Sequence, residues 1–246
     1  MARTDPLHAT AGTARFSGIP AGPGVGVGPA ARMAAPPSLP VERPAVDDPG
    51  HEAARARRAL EEVGDLLDRQ AGGLEGEAAA VLDAQALMAR DPELARRVGE
   101  RTGKGDPAAW AVHAACGTYQ ESLLAAGGRP ADRAEDLAHV RDRAVALLLD
   151  RPMPEPPDPG VPHVLVADDL APADMVRLDP RRVLGVVTRH GGPTGHTVIL
   201  ARALGIPAVV GCEGAEGLVD GTRVAVDGDE GTVLVEPDEE FVDRVR

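Results

Sequence analysis

The run Gly191-Gly192-Pro193-Thr194-Gly195-His196-Thr197 has the residue types and spacing in this sequence that best suit chemistry. It lies between a β-type run, Val183 to Val187, and a helical run, His196 to Leu204, which is where α/β folds present ligand sites. Its glycines let backbone approach a ligand closely, and the Thr194 hydroxyl is placed to cap the helix. His196 then falls in the first helical turn, where unpaired N–H groups and the positive end of the helix dipole favour an anion over an imidazolium. A neutral imidazole with a free lone pair beside oriented donors is what an arriving phosphoryl group requires. Such a ring titrates near ~6.5 and is mostly neutral at neutral pH. Phosphoryl transfer itself asks chiefly for positioning and charge stabilisation. The spacing also serves a second reading, since His196, Ile199, Leu200 and Ala203 share one helical face, as a core histidine satisfied by a carbonyl would. The residues alone do not separate the two.

Other chemistry-bearing stretches carry less. Gly22 to Gly28 is glycine-rich but opens no helix, so strand and turn fit it better than a nucleotide loop. His190 and His196 have no cysteine or carboxylate at ligand spacing, so no metal site is expected. Arg202 lies six residues beyond His196, nearly on another helix face, and reads as structural.

The elements that must hold His196 follow from punctuation and period. Two proline-rich stretches, Ala35 to Ala45 and Arg151 to Pro162, divide the chain as linkers. Between them everything reads as helix. Asp48-Pro49 starts one that ends near Gly72, Glu77 to Ala89 forms the next, and Asp91-Pro92 opens a short one to Val98. Asp106-Pro107 opens another that stops at Gly127-Gly128, and Pro130 to Leu149 makes the last, giving a small antiparallel bundle. Beyond Pro162, β-rich runs recur at His163 to Ala167, Val183 to Val187, Ala208 to Val210, Arg223 to Val226 and Thr232 to Val235. Asp227-Gly228 pairs the last two as a hairpin. The one helix among them, from His196, stops at Gly205. Phe16 to Met33 is also strand and turn, so the bundle reads as an insertion in an α/β domain.

Composition narrows the function. The 246 residues carry a net charge of −13, and Lys104 is the single lysine among 26 basic residues, which argues against binding a nucleic-acid backbone and favours a basic protein partner. Aromatic residues make up 2% of the chain, so its cores must be built from small side chains. Cys116 and Cys212 sit in apolar surroundings and read as core residues. No apolar run approaches the ~20 residues of a membrane helix, and Met1 to Arg15 has no signal-peptide character, so a cytoplasmic protein is expected.

The segment GGPTGHTVILARALGIPAVVG, Gly191 to Gly211, resembles the phosphohistidine signature of the phosphoenolpyruvate-utilising enzymes. Phe16 to Gly24 resembles the opening strand of Enzyme I of the bacterial sugar phosphotransferase system. Gln85-Ala86-Leu87-Met88-Ala89-Arg90-Asp91-Pro92-Glu93-Leu94 resembles its second helical hairpin. Ala108 to Val112 and Asp132 to Leu137 follow in family order, and the resemblance extends from Phe16 to Arg246.

The resemblance implies a swivelling phosphohistidine β/α domain with an inserted all-α helical-bundle subdomain. Its expected segments are a flexible arm at 1–15, the discontinuous α/β domain at 16–34 and 151–236, the insertion at 46–150, and the start of a carboxy-terminal linker at 237–246. It makes His196 the catalytic phosphate carrier, with Gly192, Thr194, Gly195 and Thr197 positioning the phosphate. It makes the bundle the dock for the phosphocarrier HPr, with Leu87, Met88, Asp91, Glu93 and Arg133 as candidates for the docking face. Read by themselves, Leu87 and Met88 also suit bundle core, Asp91 suits helix capping, and Glu93 and Arg133 suit a solvated surface. The resemblance implies no metal or cofactor here, because Mg²⁺ and phosphoenolpyruvate belong to a carboxy-terminal barrel not expected in this chain, and it implies a monomer without that barrel.

The sequence departs from the family at Gly195, where serine often stands, and at Met175, which aligns with a threonine that bonds the ring in some members. Ala138-His139 replaces an Arg-Asp pair. Two other readings accompany these departures: a non-catalytic or regulatory docking module, and the phosphocarrier domain of a dihydroxyacetone-kinase-type relay.

Overall fold

The computed structural model describes residues 14–245, with side chains except at 128–132 and 244–245. Most of the expected amino-terminal arm, residues 1–13, lies outside the described residues. Among the described residues the first elements are β1 (Arg15–Ser17), β2 (Ile19–Gly22) and β3 (Val25–Arg32). Five helices follow, α1 (Pro49–Ala71), α2 (Gly76–Ala89), α3 (Pro92–Gly103), α4 (Ala108–Ala126) and α5 (Gly128–Leu148). The chain then runs through β4 (His163–Ala167), α6 (Pro172–Met175), β5 (Val183–Thr188), α7 (His196–Leu204), β6 (Ala208–Val210), β7 (Arg223–Asp227), β8 (Thr232–Val235) and α8 (Glu239–Val245). Two compact units result. A helical unit spans Ala35–Pro154 with Ala171–Ala173, and a β unit holds the described residues up to Ala34, Glu155–Leu170 and those from Asp174 onward.

In the helical unit, local signals start two of the helices. Asp48 accepts from the His51 N–H at 3.0 Å, with Pro49 at the first helical position. Asp91 accepts from the amides of Glu93 at 2.7 Å and Leu94 at 3.4 Å. These are ordinary amino-terminal caps. Asp106 does not cap α4. It ion-pairs with Arg43 and Arg101 instead, and the Ala108 N–H donates to Glu52 Oε2 of α1 at 2.6 Å. Alanine, valine and leucine at helical spacing form the interior, with Ala56, Val63, Leu67, Leu82, Leu94, Ala111, Val112 and Ala144 fully buried. Cys116 belongs to it, and burial pushes its thiol up to about 12.

In the β unit the strands run in the order β1-β8-β7-β3-β4-β5-β6-β2. Strands β3, β4, β5 and β6 are mutually parallel, and the remaining pairs are antiparallel. The expected β7–β8 hairpin forms. Strands β1 and β2 stand at opposite ends of this order, yet only Gly18 separates them. A flat eight-stranded sheet would hold its ends roughly 30 Å apart, whereas the chain from Ser17 to Ile19 spans at most about 7 Å. The sheet therefore curls until its ends meet.

Glycines allow that closure. A Cβ on Gly18 would stand 2.6 Å from the Val210 carbonyl oxygen, and one on Gly228, at the hairpin turn, would overlap the Gly22 carbonyl. The enclosed core is mostly valine and alanine, with Val164, Val166, Val187, Val209, Val224, Val226 and Val233 packed together with Cys212. Outside it, Phe241 of α8 packs on Ala225 and Leu234, against Val25 and Val27. Residues 237–246, expected to begin a linker, thus include a helix seated on the sheet. Among the described residues, no helix is long and apolar enough to cross a membrane.

Candidate functional site

Strand β5 delivers the loop that carries the candidate residues. Arg189 and His190 donate backbone N–H groups to the carbonyls of Ala167 and Asp168 at the end of β4, at 3.0 and 2.8 Å. The Thr188 hydroxyl donates to the His190 carbonyl at 2.6 Å. Gly191 then takes φ +115°, where an L side chain is strained, and a Cβ there would meet Val210 at 3.1 Å. The position of Gly192 faces open space instead, with nothing within 4 Å of where its Cβ would be. The Gly195 N–H turns back to the Gly192 carbonyl at 3.1 Å.

Helix α7 begins at His196 with extended Gly195 as its amino-terminal cap and no side-chain capping bond. The hydroxyl cap expected from Thr194 is not made, because the cap position falls one residue later, and Thr194 is exposed. Gly195, where the resembling family often has serine, therefore offers no side chain of its own to cap α7. Thr197 is buried. Arg202 donates from Nε to the Ala21 carbonyl at 3.0 Å and so ties α7 to β2, the structural role its position suggested.

His196 is 7% exposed, and its Nε2 stands 2.9 Å from the Leu170 carbonyl oxygen in the loop after β4. A carbonyl only accepts, so this bond requires the hydrogen on Nε2. Sequence reasoning foresaw a carbonyl partner as one possibility but had no means of naming Leu170. Met175 is fully buried and apolar. Both readings of His196 thus have a counterpart in one geometry: a histidine in the first turn of a helix, after a glycine-rich loop, at rest on a carbonyl.

The candidate docking residues fall in the helical unit, four of them around the bend between α2 and α3. Leu87 is 72% exposed, which excludes it from the bundle core, and Met88 is half-buried. Asp91 is occupied with capping and also accepts from the Tyr119 hydroxyl at 3.1 Å. Glu93 pairs with Arg96 and Arg97, each at 2.7 Å, and hydrogen bonds from Arg96 and then Arg97 hold its carboxyl down to about 2. Arg97 in turn lies over the Tyr119 ring, 5.2 Å from its centre. Arg133 is exposed on α5. Leu124 of α4, 59% exposed, is a further apolar surface residue that the sequence reading passed over. Three clefts of about 520, 550 and 590 Å³ occur in the two units, and none of them is lined by His196 or residues 191–195.

Comparison with known proteins adds to this geometry. Residues 17–131 match the family described as PEP-utilising enzyme, N-terminal, and residues 160–231 match PEP-utilising enzyme, mobile domain. The chain is 51% identical over 203 residues to the phosphoenolpyruvate-protein phosphotransferase of Streptomyces coelicolor, covering 82% of this chain and 36% of that protein. It is 40% identical over 190 residues to the protein of the same name from Haloferax volcanii, covering 77% and 34%. A multiphosphoryl transfer protein of Xanthomonas campestris is 35% identical, covering 93% and 28%. The chain therefore spans about a third of the length of these relatives. A solution structure of Enzyme I superposes with a TM-score of 0.69 at 30% identity, covering 94% of this chain and 96% of that one. The N-terminal domain of a nitrogen Enzyme 1 gives 0.56 at 30% identity, covering 93% and 97%.

Proposed function

The chain belongs to the phosphoenolpyruvate-utilising enzymes and corresponds to the amino-terminal part of Enzyme I, and from that premise we propose that His196 carries a phosphoryl group and exchanges it with HPr docked on the helical unit. The observation that carries the reading is the place of His196, at the first position of α7 directly after Gly191–Gly195. There the amino-terminal end of the helix dipole favours the arriving charge. Gly192 and Gly195 admit the phosphate oxygens to backbone, and Thr194 and Thr197 flank the ring.

The resting bond to Leu170 sets the order of events. With its hydrogen on Nε2, that nitrogen has no lone pair to offer. For attack through Nε2, the family precedent, the ring leaves the Leu170 carbonyl and its proton passes to Nδ1. The Nε2 lone pair then forms a bond to phosphorus while the bond from phosphorus to the carrier's imidazole breaks. That electron pair returns to the carrier's ring, which takes up a proton as the His196 ring gives up the one on Nδ1, so both rings end uncharged. The step is reversible because the two bonds are alike. In this reading Mg²⁺ and phosphoenolpyruvate belong to a separate phosphorylation step, and these residues act in the cytoplasm.

Incubation with ³²P-phosphorylated HPr tests the proposal. Acid-labile label on the wild-type protein, and none on His196→Ala, is the expected outcome. No label on the wild type would instead favour a docking module without relay activity, a reading that buried Met175 and the occupied Nε2 support.

A further inference from the structure

Arg90 occupies the bend between α2 and α3 and is gripped by one face of α1. Its Nε donates to Glu61 at 3.0 Å, and a terminal nitrogen donates to Asp65 at 2.6 Å and pairs with Asp68 at 2.9 Å. These carboxylates line one strip of the helix, and Gly64 within it supplies the seat. A Cβ on Gly64 would stand 2.7 Å from the centre of the guanidinium. One exposed ion pair fixes little, but a planar fork seated on backbone between three acceptors has a single favourable position. The chain on either side is anchored as well, through buried Ala89 before it and the α3 cap Asp91 after it. On its outer side the same bend presents Leu87 and Met88, and Glu93 follows one turn on.

We propose that Arg90, seated over Gly64 between Glu61, Asp65 and Asp68, is a positioning residue for carrier docking, fixing the bend so that Leu87 and Met88 meet the partner in one geometry. The assignment rests on the exchange with HPr proposed above. It names a residue that does not itself touch the carrier.

Two variants test it in the whole chain. Arg90→Ala removes the fork. Gly64→Ala keeps every charge and favours helix in α1, yet displaces the guanidinium from its seat. In both, KM for phosphorylated HPr should rise about fivefold with kcat unchanged, the pattern of lost binding rather than lost chemistry. The melting temperature of Gly64→Ala should not fall, amide exchange at residues 91–95 should quicken, and Arg90→Lys should recover part of the lost affinity. If the wild type transfers phosphate and both variants keep its KM, the clamp is overturned and the phosphoryl-relay reading stands. A fall in melting temperature with KM unchanged likewise makes Arg90 merely structural. No transfer by the wild type overturns both.

Discussion

At the scale of single residues, the imidazole of His196 concentrates the functional question in one hydrogen atom. Since the Leu170 oxygen can only accept, the resting ring should carry its hydrogen on Nε2. Nitrogen-15 NMR of the unphosphorylated protein at pH 8 should show a protonated Nε2 for His196. A signal for an Nδ1-protonated neutral ring would show instead that the bond to Leu170 is absent in solution. The position of His196 was legible because glycines, a strand end and a helix start are local and recur in recognisable order. Its partner was not, because any residue supplies a main-chain oxygen and nothing in the letters of Leu170 marks it. The cap of α7 shows the same limit more finely. Thr194 and Gly195 are adjacent, and backbone torsion rather than side-chain type decided which of them became the cap.

At the scale of elements, Glu52 does what no local signal could announce. Asp48 and Asp91 cap helices a few residues ahead, and both starts were read from sequence. Glu52, far away in the chain, takes the first amide of α4 while also holding Arg55. Burial pushes its carboxyl up, but the Ala108 amide and the Arg55 guanidinium outweigh that, and the net shift is downward. A lowered folded value means the stabilisation is complete above the ordinary glutamate value of ~4.3 and is lost as pH falls through the lower folded value. Glu52→Gln should cost about 1–2 kcal/mol at neutral pH. Denaturant titrations at pH 7 and pH 3 check this, with the gap between variant and wild type narrowing at the lower pH. The helices and most strand limits were otherwise legible, because period and proline–glycine punctuation act within a few residues. The short α6 and the terminal α8 were missed. Four residues are too few to show a period, and α8 earns its place through Phe241 packing on strands rather than through its own sequence.

At the scale of the whole molecule, α/β character was foreseeable from the order of the runs, but sheet closure was not. It depends on glycines distant in sequence coming face to face. Gly228→Ala would drive a methyl group into the Gly22 carbonyl and should destabilise the β unit by about 3 kcal/mol. Chemical denaturation followed separately in the two units reads this, and an unchanged midpoint for the β unit would contradict the closure. The single-residue step at Gly18 has a consequence for synthesis. Strands β1 and β2 take as neighbours β8 and β6, which are translated after them, with the five helices of the helical unit in between. Helices can condense as they emerge, since their contacts are near in the chain, while β1 and β2 wait with open edges until Val210 and Val235 exist. Birth of this protein is therefore staggered, and a chaperone that shields exposed strand edges has its longest task at residues 15–22.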